Sequence, residues 1–161
     1  MVDEKEIRKL IDENKGKEKS YGESYRLRDS DKDIIEESKR ELPFLISERK
    51  LKNDEEHKIG ATKGYDLIEE MCLIPGTTFK KTVSGEIRAT RTFLYKYVVG
   101  LKMTVEEANE FFKLCGGELR EDDPEDLICL RALEDGDSIY DFCDEYEKYI
   151  GKTLVKKVKA K

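Results

Sequence analysis

The 161 residues carry 31 lysines and arginines against 37 aspartates and glutamates, a net charge of −6, with 42% charged and 37% hydrophobic side chains, three prolines and no tryptophan. That length suits a single core with an appendage, and that balance suits helices with charged solvent faces. It excludes a membrane span: the apolar runs are a few residues long against the roughly 20 needed to cross a bilayer, and MVDEKEIRKL lacks a signal-peptide hydrophobic region, so a cytoplasmic protein is expected.

In chain order, residues 1–13 form a helix with Ile7, Leu10 and Ile11 in a narrow stripe. NKGKEKSYGESYRLRDS, residues 14–30, reads as a linker with Tyr21, Tyr25 and Leu27 as its only anchors. Ser30 and Asp33 then start a helix through Ile34, Ile35 and Leu42, which Pro43 should bend or end. Phe44, Leu45 and Ile46 join the core as the first helix of a bundle. KLKNDEEHKIGATKG is too polar to pack and reads as the end of that helix and a loop.

Tyr65 to Ile74 is predicted as a short helix with Tyr65, Ile68 and Cys72 on one face, and Leu73 to Gly76 as a turn. GTTFKKTVSG gives the next helix, with Phe79 and Val83 facing the core and Gly85 ending it. Thr90 caps a helix whose Leu94, Tyr97, Val98 and Leu101 fall at i, i+3, i+4 and i+7. Gly100 marks its end. Thr104 and Glu107 have capping-box spacing ahead of Val105, Ala108, Phe112 and Cys115. After the acidic loop GELREDDPED, Pro124 opens a helix bearing Leu127, Leu130 and Leu133. Ser138 and Asp141 then cap a last helix with Ile139, Phe142, Cys143, Tyr146 and Ile150. The caps at Thr104 and Ser138 lie 34 residues apart, which suggests two related αα-hairpins.

Cys72, Cys115, Cys129 and Cys143 have no C-x-x-C spacing, and His57 is the only histidine, so neither a zinc site nor a disulfide framework is expected. Each thiol sits on or beside an apolar stripe, where it acts as a small hydrophobe. No metal or cofactor is expected. The carboxylates at 121–126 and 134–137 lack a histidine or nucleophile motif and read as solvating charge, so no catalytic activity is expected.

The charge is unevenly placed. Residues 1–70 carry −4, 71–105 carry +5, 106–150 carry −12, and the tail from 151 carries +5. A local basic island on an acidic chain suffices for phosphate affinity, because counterion release depends on local lysines and arginines.

The order of short helix, Ser84-Gly85, basic loop, Thr90-Arg91, helix, Gly100 and the MTVEEANE helix resembles the Xre/Cro-like regulators of bacteria and phages, from about Tyr65 to about Gly151. The sequence departs from that family at Ala89, where proline is frequent, and at Glu86, where a basic residue is usual. The resemblance implies an all-α fold: a helix-turn-helix bundle over 42–118, extended by an acidic C-terminal αα-hairpin over 119–151. An N-terminal helical and partly flexible segment, 1–41, and a basic tail, 152–161, complete the division. It further implies sequence-specific binding of double-stranded DNA and transcription regulation. Thr77, Thr78, Lys80 and Lys81 would lie on and before the recognition helix, with Ser84, Arg88 and Arg91 on the sugar-phosphate backbone. The acidic hairpin would serve as a protein-contact surface, for a homodimer or another partner. A second reading makes the chain a helical interaction adaptor or inhibitor whose acidic surface docks a basic partner.

Overall fold

The computed structural model describes residues 1–15 and 32–155, with 32–39 described by backbone alone. Among the described residues the protein is all-helical. Its helices are α1 (Glu4–Glu13), α2 (Lys32–Glu56), α3 (Ala61–Cys72), α4 (Gly76–Val83), α5 (Arg91–Gly100), α6 (Val105–Phe112), α7 (Pro124–Asp135) and α8 (Ile139–Ile150). The expected anchors Tyr21, Tyr25 and Leu27, the cap at Ser30, the side chains of Ile34 and Ile35, and the tail beyond 155 lie outside the described residues.

The fold is built around α5. Its expected stripe of Leu94, Tyr97, Val98 and Leu101 is buried, but so are Phe93, Tyr95 and Val99, so the helix is apolar nearly all round and lies inside the bundle. It packs against α3, α6, α7 and α8. Two aromatic groups meet across it. On one side Phe79 lies 6.1 Å from Phe93 and 5.7 Å from Tyr97, which in turn meets Phe111 at 6.0 Å. On the other, Tyr95 contacts Phe112, Phe142 and Tyr146 at 5.6, 6.4 and 6.3 Å. The hairpin of α7 and α8 therefore shares one core with the preceding helices. Gly100 lets α5 cross α3 closely: a Cβ there would stand 2.5 Å from the Met71 carbonyl oxygen and 2.7 Å from Cys72 Cα.

Helix starts follow the predicted capping. Thr90 Oγ1 accepts from the Phe93 amide at 3.1 Å, Thr104 and Glu107 complete a capping box, and Ser138 Oγ accepts from the Asp141 amide at 3.1 Å. Pro124 occupies the first turn of α7 behind the Asp123 cap. The four cysteines are free and buried. Leu133 and Ile150, expected on core stripes, are only half-buried.

Phe44, expected in the core, is 62% exposed. The run from Lys50 ends a helix and passes into a loop at 57–60 as expected, but it is not too polar to pack, and Pro43 does not end the helix, because α2 runs unbroken from Lys32 to Glu56. Leu42 and Ile46 are buried on it, and the same face continues through Lys50, Asn53 and Asp54, which are 3%, 2% and 5% exposed. Lys50 Nζ donates to the Ala61 carbonyl at 2.8 Å, lies 4.0 Å from the Tyr65 ring centroid, and meets Asp54 Oδ2 at 2.6 Å. These anchors on both sides of Pro43 offset the roughly 3 kcal/mol that an interior proline costs a helix. Gly64 makes room for the Asp54 carboxylate, since a Cβ there would sit 1.8 Å from Oδ1.

The start of the chain is held against the C-terminal hairpin. Ile7 is fully buried and α1 packs on α7. The Val2 amide donates to Glu145 Oε1 at 3.1 Å, and the terminal ammonium pairs with Asp135 and with Asp137.

Candidate nucleic-acid interface

Helices α3 and α4 are joined by residues 73–75. Leu73 ends α3 in the left-handed region, φ 55°, with its amide bonded to the Glu69 carbonyl at 2.9 Å, and Pro75 precedes the first turn of α4. A non-glycine residue rarely adopts that conformation. Here the Leu73 carbonyl accepts a hydrogen bond from Lys96 Nζ at 3.1 Å, which ties the turn to α5.

Within α4 the residues divide by helical period. Phe79, Thr82 and Val83 fall at i, i+3 and i+4 and turn inward, with Phe79 fully buried and Val83 half-buried. Thr77, Lys80, Lys81 and Ser84 fall at i, i+3, i+4 and i+7, and all four are exposed. Among the described residues Lys80 and Lys81 have no carboxylate within 4.0 Å, and Lys80 Nζ stands 5.0 Å from the Tyr65 ring centroid. Ser84 Oγ donates to the Lys81 carbonyl at 3.0 Å, which tightens the end of the helix. Thr78 is half-buried at the flank, its carbonyl accepting from Thr82 Oγ1 at 2.8 Å. Arg88 is exposed on the loop after Gly85, beside a cavity of about 300 Å³ that this loop forms with Leu42 and Pro43.

Arg91 is not where a phosphate contact requires it. Its guanidinium turns inward, donating to Asp126 Oδ1 and Oδ2 at 3.0 and 2.9 Å and to the Gly117 carbonyl at 2.8 Å. The Cys115 carbonyl accepts a further bond at 2.5 Å, and the Phe112 ring lies 4.8 Å below. Asp126 also accepts from the Arg120 amide at 3.0 Å and from the Tyr95 hydroxyl. Burial and the adjoining Asp126 carboxylate hold the Tyr95 phenol well above its usual range. Arg91 thus locks α5 to α7, and the expectation that it contacts backbone phosphate is corrected.

Two groups went unnoticed in the sequence. The first is Glu69 on α3, whose Oε2 would be the nearest atom, at 3.7 Å, to a Cβ on Gly76. It places a carboxylate beside the first turn of α4. The second is a cavity of about 290 Å³ between α4, the start of α5 and residues 152–154. Its lining includes Thr78, Thr90, Thr92, Lys96 and Lys152. Burial lowers the Lys96 ammonium below the ordinary lysine range, with Cys143 and Cys72 acting the other way. The run T-R-T at 90–92 is the only local signal for this cavity, and its partners at 152–154 lie too far along the chain for spacing to reveal.

The acidic hairpin offers a smaller charged surface than its composition suggests. Asp123, Glu125, Asp126 and Glu145 are buried, and Tyr146 is fully buried with its hydroxyl bonded to Glu125. Tyr149 is half-buried beneath Arg8, and Tyr140 remains 61% exposed. Among the described residues no helix is long and apolar enough to cross a membrane.

No protein-family model, curated protein or solved structure matches the chain.

Proposed function

We propose that this protein is a sequence-specific DNA-binding protein of the helix-turn-helix kind, a transcriptional regulator related to the Xre/Cro-like family, with α4 as its recognition helix. One observation carries the reading: the outer face of α4 presents Thr77, Lys80, Lys81 and Ser84 together at helical spacing, while its inner face is bound into the core through Phe79. An eight-residue helix held this way has its polar face displayed on a rigid support. Lysine heads reach phosphate oxygens or guanine edges, and the hydroxyls accept or donate to either. Arg88 on the following loop adds a backbone contact, and Arg91 holds the frame from inside.

Glu69 opposes this reading locally, because its carboxylate repels phosphate near the start of α4. It therefore supplies a test in the opposite direction from the lysines. In fluorescence anisotropy with a labelled random duplex, the Lys80→Ala/Lys81→Ala variant should bind more weakly and Glu69→Gln more tightly than the parent. Equal affinity of all three folded proteins would reject α4 as the contact element.

A further inference from the structure

We propose that the cavity between α4, the first turn of α5 and residues 152–154 is a binding site for the phosphate group of a small phosphomonoester. The chain carries more acids than bases, yet among the described residues no carboxylate lines this cavity of about 290 Å³. Lys96 and Lys152 do, together with Thr78, Thr90, Thr92 and Thr153. Such a volume holds a small ligand, and Ile74, Phe93 and Leu154 supply an apolar wall for the organic part of an ester.

Lys96 is the central observation. It is half-buried, and among the described residues no carboxylate lies within 4.0 Å of it. Its Nζ donates to the Leu73 and Leu154 carbonyls, each at 3.1 Å. An ammonium has three protons, so one donor remains beyond these two bonds. A partly desolvated cation hydrogen-bonded to neutral carbonyls is stabilised by an anion entering beside it. The lowered proton affinity of this amine has the same origin, since burial without a counter-charge disfavours the charged form.

The start of α5 adds a second source of positive potential. The Thr90 cap takes the Phe93 amide at 3.1 Å at the positive end of a ten-residue helix. The Thr90 and Thr92 hydroxyls stand 3.0 Å apart, close enough for one tetrahedral group to meet both. A cavity lined by lysine and threonine side chains suits the several acceptor oxygens of a phosphate better than the two of a carboxylate. The assignment does not rest on the DNA-contact reading, although Thr78 belongs to both.

The test is a titration of the isotopically labelled full chain with inorganic phosphate, followed by amide chemical shifts, with chloride at matched ionic strength as control and a short duplex as a separate arm. Saturable shifts at Thr78, Thr92 and Thr153 with phosphate alone are expected. Lys96→Gln and Lys152→Ala should each weaken them by about tenfold or more, the usual loss for one charge-assisted hydrogen bond. Lys152 is exposed, so its removal leaves the fold intact should Lys96→Gln not fold. Shifts reproduced by chloride, shifts unaltered in the folded variants, or shifts induced by the duplex but not by phosphate would each overturn the proposal.

Discussion

Arg91 and Asp126 have side chains 11% and 0% exposed and meet through hydrogen bonds from Nη2 to both carboxylate oxygens, so removing either leaves the other's buried charge without its counter-charge. Breaking a buried pair of this kind costs about 3–5 kcal/mol. Arg91→Met and Asp126→Asn should each lose about that much in urea unfolding, and the double variant should lose clearly less than their sum. Strict additivity would mean that the two side chains are not coupled. Phe79→Ala, which empties the junction of α4 and α5, should cost about 3–5 kcal/mol as well, and a change below about 1 kcal/mol would place its ring outside the core.

Buried thiols and phenols also set the alkaline limit of the protein. Burial raises Cys72 to about 12 and Cys143 to about 11, raises Tyr146 to about 12, and holds Tyr95, Tyr97 and Cys129 well above their ordinary values. The unfolded chain, with thiols near about 8.5 and phenols near about 10, releases these protons first as pH rises. It then binds fewer protons than the folded chain, so stability falls with pH. Lys96 has the opposite sign, its folded ammonium losing the proton before the unfolded one does. Six groups outweigh one. Thermal unfolding followed from neutral pH upward should therefore show a Tm that declines from about pH 9. A flat profile to pH 11 would show these groups ionising as freely in the fold as out of it.

Among the elements, α5 and α2 mark the two limits of what the pattern of residues could reveal. The stripe of Leu94, Tyr97, Val98 and Leu101 was readable because one face of a helix repeats at i, i+3, i+4 and i+7. Burial of the opposite face through Tyr95 and Val99 depends on α7 and α8, which arrive later in the chain. The Lys50–Asp54 stretch was misread for a physical reason: buried polar residues look like solvated ones until their partners at Ala61, Gly64 and Tyr65 are folded against them. Gly100→Ala tests the crossing of α3 and α5. The added methyl would press on backbone atoms of Met71 and Cys72, so a loss of about 1–3 kcal/mol or more is expected in thermal or urea unfolding. A neutral or stabilising change would mean that the two helices separate at no cost.

At the scale of the whole molecule, charge is sorted by position. The face of α4 is basic, and the hairpin of α7 and α8 is acidic but withdraws four of its carboxylates into the fold. The resemblance named Thr77, Lys80, Lys81 and Ser84, which are exposed, together with Thr78, which is half-buried because it lies at the flank of the inward face. The inward turn of Arg91 was not legible, because the carboxylate that draws it lies 35 residues onward. The measurement closest to the central claim is the salt dependence of duplex binding, compared between the parent and Lys80→Ala/Lys81→Ala. Each phosphate contact adds about 0.9 to the slope of log affinity against log salt, so the variant's slope should be shallower by about two contacts, near 1.8. Its Tm should match the parent's, since both lysines are exposed. An unchanged slope in the folded variant, or no binding by the parent at low salt, would contradict the account.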